Sequence, residues 1–294
     1  MAQLNGRLNL DIDLFKISPL MSAHLVICAD DFGMNPAVSQ GIAQLAEQAR
    51  LSATSAMTLA PGWPTDVALL RPLRQQLDVG LHLDWTSPFA IAAGHGRTLG
   101  RLMLQTQLRQ LDSPQARAVI ERQLDLFEAH WQAPPDHVDG HQHVQQFPVI
   151  REALVQVLTR RYPTGPRPWI RISQPLVPRR DIKAWVIGAM GAKALQRLAR
   201  QAGLPHSRWL SGIYSFDGDA KAYGLHLADW LQDAATHPGV VMMCHPGLSS
   251  ADADDPIAHA RPHELQALES PLLPTLLQRH GLRLARGQQA RPPG

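Results

Sequence analysis

Short β-branched apolar runs alternate with amphipathic stretches along almost the whole chain. The runs over residues 24–29, 53–59, 78–83, 136–140, 169–172, 210–214, 240–244 and 282–285 predict strands. Brief apolar runs bounded by turn formers suit buried β structure. Between them, residues 36–50, 64–76, 114–131, 148–161, 181–202, 225–235 and 263–280 predict helices. Proline stands at or near the start of the first four, where its missing N–H costs no helical bond. Gly203 and Gly281 stand where helix C-caps are expected. Alternation repeated seven or eight times implies an α/β fold with a parallel sheet. A closed or distorted (β/α) barrel fits this count best, with an open doubly wound sheet as the runner-up.

No change of composition marks a linker, so residues 21–286 read as one domain. Residues 1–20 read as a loose N-terminal extension, because they lack the basic start, apolar centre and cleavage site of a secretory signal. Residues 287–294 read as a disordered tail.

The 294 residues suit one barrel-sized domain, and 45% hydrophobic with 18% charged residues suits a sizeable core. A net charge of +3, with the arginines scattered, argues against a nucleic-acid partner. No apolar run reaches the roughly 20 residues of a membrane span. The two cysteines, Cys28 and Cys244, have no CxxC spacing. That disfavours a disulfide scaffold or thiolate zinc site and points to a reducing compartment, the cytoplasm. Fourteen histidines raise the question of metal binding. His95, His130, His206, His237, His259, His263 and His280 lie in polar or helical surroundings and read as surface residues.

Chemistry gathers at the carboxyl ends of the predicted strands, where (β/α) barrels build active sites. The first strand ends in Asp30-Asp31-Phe32-Gly33. Adjacent carboxylates repel unless a cation lies between them, although one capping a helix and the other solvated is the plainer alternative. In the third strand, His82 and Asp84 share one face and Gly80 permits close backbone approach. The fourth region, His137-Val-Asp139-Gly-His141-Gln-His143, places its odd-numbered residues on one face if extended. Asp139 could then orient a neighbouring imidazole. The seventh strand ends in His245-Pro-Gly, which turns His245 into the mouth. Arg171 on the fifth strand either pairs with an active-site carboxylate or faces the surface. One carboxylate and two imidazoles with open positions would form a hydrolytic or redox metal site. Gly94–Gly100 is too long for a dinucleotide fingerprint, and no GxSxG elbow or P-loop is present.

The pieces Ala29-Asp-Asp-Phe-Gly33, Gly80-Leu-His-Leu83, His137-Val-Asp-Gly-His-Gln-His-Val144 and Cys244-His-Pro-Gly247 resemble, in order and spacing, those of the YdjC family of carbohydrate deacetylases. That family includes chitooligosaccharide and hopanoid-associated members. The resemblance covers residues 24–286 and implies a distorted TIM-like (β/α) barrel with a divalent metal, Zn2+ or Mg2+. Carried over, Asp31, His82 and His141 are the metal ligands, Asp30 the general base and His245 the acid or oxyanion-side group. Arg171 joins the catalytic set through its carboxylate partner. His143, Asp139, Trp85 and Asp84 are then substrate-side residues. From their place after the third strand, Trp85 and Phe89 either stack on a sugar ring or fill the core. The chain departs from the family at Gln145, at Asp84 and in a short loop over residues 85–100.

The implied reaction is metal-dependent hydrolysis of an N-acetyl group on a small carbohydrate, by a chain that could pair as a homodimer. Two other functions compete. A phosphoester hydrolase would use two metals about 3.5–4 Å apart. A sugar-binding protein with a relic site would have no turnover. Metal stoichiometry and acetate release separate the three.

Overall fold

The computed structural model describes residues 23–176 and 182–290. The predicted N-terminal extension, residues 1–20, lies outside them. All eight predicted strands form: β1 Ala23–Phe32, β2 Ala53–Ala56, β3 Asp78–Leu83, β4 His137–Gly140, β5 Trp169–Ile170, β6 Trp209–Ser211, β7 Val240–Cys244 and β8 Leu282–Leu284. The sheet runs β5-β4-β3-β2-β1-β7-β6 with every pair parallel. Its two ends meet through parallel bridges, Ile170 to His206 and Pro175 to Leu210. Seven strands therefore curl into a distorted barrel whose β5–β6 seam is only bridged. The eighth, β8, pairs with Ala23–Leu25 at the start of β1.

The helices follow local signals. Asn35 accepts from the Val38 amide and Asp112 from the Gln115 amide, each just ahead of a proline that opens the helix. Gly203 and Gly281 adopt φ of +63°, as C-cap glycines do. The predicted helix over 181–202 is two, Ile182–Ala189 and Ala192–Gln201, broken at Gly191 with φ +128°. That over 263–280 is also two, Arg261–Glu269 and Leu272–Arg279, separated by Ser270-Pro271. Two helices that apolar patterning missed, Pro88–Ala92 and Leu99–Gln107, occupy the stretch after β3. No helix among the described residues is long and apolar enough to cross a membrane.

The end of the chain is more ordered than its composition suggests. Gly287–Ala290 is a short helix, whereas residues 291–294 lie outside the described residues. The Gly287 amide donates to Asp78 Oδ2 at 2.7 Å. Arg286 bridges Asp78 (2.5 Å) and Asp136 (3.0 Å) at the amino-terminal end of the barrel. Asp78 is almost wholly buried. Burial first, then the neighbouring Asp78, hold the Asp136 carboxyl up at about 6. Arg286→Ala is expected to lower the unfolding free energy by about 2–3 kcal/mol, below the value for a fully buried pair because Arg286 is partly exposed. The loss should be smaller near pH 5, where Asp136 holds its proton, and larger near pH 7, where the two carboxyl groups would face each other without the guanidinium between them. Urea titrations at both pH values check this.

Candidate active site

Neighbouring residues on a regular strand point to opposite faces. Asp30 and Asp31 instead both reach the carboxyl-end mouth of the barrel. The register of β1 against β2 slips between Ala29 and Phe32, and Asp31 takes a left-handed φ of +70°. Such a bulge re-aims a side chain, and aspartate tolerates the conformation better than most residues.

Asp31 Oδ1 lies 3.4 Å from His82 Nε2 and 3.1 Å from His141 Nδ1. Two donors about 2.0–2.1 Å from a tetrahedral ion stand roughly 3.3 Å apart. Around an octahedral ion with similar bonds they stand about 3.0 Å apart. These two edges fit an ion's coordination sphere, and the three ligand atoms all lie within 4.8 Å of one another. His82 reaches the position from inside β3. His141 opens the turn His141–Gln146, where Gln142 and His143 both have positive φ.

Among the described residues, three groups of side chains could hold a metal. Two already have their centres filled. In Cys28–His137–Asp139, the Ser55 hydroxyl sits 3.3 Å from Cys28 Sγ, 3.1 Å from His137 Nε2 and 2.5 Å from Asp139 Oδ2. In Asp30–His82–Asp139, the Arg171 guanidinium lies between the carboxylates, Nη1 being 2.6 Å from Asp30 and 3.0 Å from Asp139. Asp31–His82–His141 has no such plug among the described residues, and one carboxylate with two imidazoles is a donor set suited to a divalent ion.

The surroundings favour a cation. Asp30, Asp31, Asp139, Asp255 and Glu264 are buried carboxylates, and among the described residues only Arg171 and Arg261 are buried permanent cations. Burial alone would raise the Asp31 carboxyl, but Arg261, His141 and His82 hold it well below the usual carboxylate range. Asp139 is also held low, because Arg171 and His82 outweigh its desolvation. Its Oδ1 accepts from His82 Nδ1 at 2.6 Å, which leaves Nε2 aimed at Asp31. Burial opposes charge on His82, yet Asp139 and Asp30 lift it to about 10. An ion bound at Nε2 would have to displace a proton held there by these carboxylates. Metal affinity should rise with pH through the neutral range, and calorimetry in buffers of different ionisation enthalpy should show a proton released on uptake.

Arg171 is fully buried and grips Asp30 with both arms, at 2.6 and 2.7 Å. The surface-facing alternative for Arg171 is thereby excluded. His245 Nε2 stands 3.8 Å from Asp30 Oδ2. Its backbone N–H donates to Glu264 Oε2 at 2.6 Å, and its ring packs edge-on against Phe216. Gly80 meets the expectation of a close approach, since a Cβ there would lie 2.4 Å from the His137 ring.

Other expected positions differ. The alternation from His137 to His143 breaks at Gly140, where β4 ends. His143 lies off the Asp31 group, with Nδ1 3.0 Å from the Ser173 hydroxyl. Asp139 is buried beneath His82 and orients its ring, as the fourth-strand pattern suggested, which takes it away from the substrate side. Asp84 is turned inward: it accepts from the Thr86 and Ser87 amides and the Ser87 hydroxyl. It thereby braces the start of the helix Pro88–Ala92. Trp85 is 1% exposed, so its ring has no open face for a sugar. It packs edge-on against His95, itself buried rather than at the surface. Ser55, Asp255, Arg261 and Glu264 were not anticipated. Each is a single polar residue without a local motif, although Glu264 follows His263 in a visibly polar helix start.

The family described as YdjC-like protein matches residues 24–279. A carbohydrate deacetylase from Mus musculus is 27% identical, the alignment covering 88% of this chain and 92% of that protein. A chitooligosaccharide deacetylase from Serratia marcescens is 25% identical over 90% of this chain and 98% of its own length. Another from Proteus mirabilis is 33% identical over 46% of this chain and 56% of its own length. A crystal structure of a candidate cellobiose-phosphate cleavage protein from Enterococcus faecalis matches with a TM-score of 0.69 at 19% identity, over 91% of this chain and 98% of that one. This last likeness shows the fold.

Proposed function

This chain belongs to the YdjC-like protein family, and we propose that it hydrolyses an N-acetyl group on an amino sugar or sugar conjugate, releasing acetate. The observation that carries the reading is the convergence of Asp31, His82 and His141 beside the Arg171-held Asp30 and His245. Curated relatives acting on carbohydrates and chitooligosaccharides support it.

An amide has a weakly electrophilic carbonyl and a poor leaving group. A divalent ion held by Asp31, His82 and His141, Zn2+ in our reading because two imidazoles suit it, would polarise that carbonyl and acidify a water. Asp30 accepts the proton of the attacking water. Arg171 fixes the Asp30 rotamer so that this oxygen is already in place. His245 donates a proton to the departing amine, with Glu264 holding its backbone. Two buried cysteines, both free thiols, support a reducing compartment such as the cytoplasm.

Phosphoester hydrolysis by a metal pair fits less well, since Arg171 and Ser55 fill the adjacent groups. The test is a panel of N-acetylated mono- and oligosaccharides, with a phosphoester as the comparison. Chelator-stripped protein and protein reloaded with one Zn2+ per chain are each assayed for acetate and free amine. Equal acetate and amine from at least one sugar, only in the loaded protein, is the expected result. Phosphate release that needs two ions per chain would displace the reading.

A further inference from the structure

Arg261 stands at the start of the helix Arg261–Glu269, 230 residues along the chain from Asp31, and is 2% exposed. Its Nη2 donates to Asp31 Oδ2 at 2.8 Å. Its Nε donates to Asp255 Oδ2 at 2.6 Å, and Nη2 also reaches Asp255 Oδ1 at 3.2 Å. Nη1 touches the His245 carbonyl at 3.4 Å, and Nη2 the Met34 sulfur at the same distance. Both imidazoles face the other oxygen of Asp31, Oδ1. The two oxygens of one carboxylate thus have separate partners.

We propose that Arg261, braced by Asp255, acts as a positioning residue that keeps Asp31 a one-oxygen metal ligand, trading metal affinity for open coordination positions. This rests on the reading that Asp31, His82 and His141 hold the ion. A free carboxylate can bind an ion through one or both oxygens. With Oδ2 committed to a guanidinium, chelation through both would break a charge-assisted hydrogen bond. The positions left open are those that a carbonyl oxygen and a water require. The guanidinium also sets a fixed positive charge next to the ion, which opposes metal uptake.

A purely structural Arg261 and this role predict opposite signs. Loss of a bracing partner usually weakens metal binding about 10–100-fold. Loss of the restraint proposed here tightens it. The test uses the full chain with Zn2+ alone, read by competition against a chromophoric chelator. One variant is R261M/D255N, which removes the guanidinium with the second carboxylate that it neutralises. The other is R261Q, which keeps a hydrogen-bond donor without the charge. Whichever variants fold should bind Zn2+ more tightly by about tenfold, within the span of outer-shell effects. Turnover should fall by about tenfold in kcat with KM held within about twofold, the pattern of an interaction used in the chemical step. Co2+ in place of Zn2+ should give a weaker visible band in the variants, because extra coordination lowers its intensity. Unchanged or weaker Zn2+ binding in a folded variant overturns the role of Arg261 alone. A wild-type chain that takes up no Zn2+, or takes it up equally after His141→Ala, overturns the metal reading beneath it.

Discussion

Asp31→Asn is expected to abolish ion uptake at the proposed Asp31–His82–His141 centre while leaving the barrel folded. Asparagine tolerates the left-handed backbone that Asp31 adopts at φ +70°, so the bulge in β1 persists. Alanine would add strain there and blur the result. The variant keeps the shape of the side chain and removes the anionic oxygen that stands 3.1 and 3.4 Å from the two imidazole nitrogens. Loss of a direct ligand should cost more than the roughly 100-fold upper range for outer-shell partners. Turnover should fall by roughly 10³-fold or more, since a bound ion contributes several kcal/mol to such hydrolyses. Arg261 keeps Asp255 as a partner at 2.6 Å, so the melting temperature should move little. Equilibrium dialysis with Zn2+, a steady-state assay and a thermal melt measure the three quantities. Wild-type metal content together with wild-type turnover would refute the assignment of Asp31.

The barrel was legible because buried parallel strands are written as apolar runs, and each of the eight runs became a strand. The candidate site residues were legible because Asp30-Asp31, His82, His141 and His245 stand at or just past the carboxyl ends of those runs, where strands of one barrel converge. Two inferences were carried past the ends of strands and failed there. Period-2 alternation stops at Gly140, so His143 leaves the face that His137 and Asp139 share. It also stops at Leu83, beyond which Asp84 braces the start of the next helix and Trp85 packs against His95. The bulge that unites Asp30 and Asp31 is a backbone event with no glycine to announce it. The guanidinium on Asp31 Oδ2 comes from a residue 230 positions away, a contact that only the closed barrel creates. Ser55 is equally silent in sequence, yet its hydroxyl is what makes Cys28, His137 and Asp139 a packed hydrogen-bond cluster.

Asp30→Asn should produce the complementary defect: retained metal and lost chemistry. Asp30 lies outside the Asp31–His82–His141 group, so Zn2+ affinity should stay within a few-fold of wild type. Its carboxylate is held by Arg171 at 2.6 and 2.7 Å and lies 3.8 Å from His245 Nε2. An amide at this position cannot accept the proton of an attacking water, and general-base assistance is typically worth about 10²–10⁴-fold in kcat. KM should change little, because the loss falls on the chemical step. Arg171→Lys should give part of the same defect, as a lysine cannot hold both carboxylate oxygens in one plane. Combining Asp30→Asn with His245→Gln should cost less than the product of the single effects if the two act as one proton-handling unit. Two residues adjacent in the chain would then have separable phenotypes, metal uptake for Asp31 and proton transfer for Asp30. That separation follows from the bulge, which brings both carboxylates to the mouth but hands each to a different partner. Kinetics of the metal-replete Asp30→Asn protein at near wild-type rate would show that another group takes the proton.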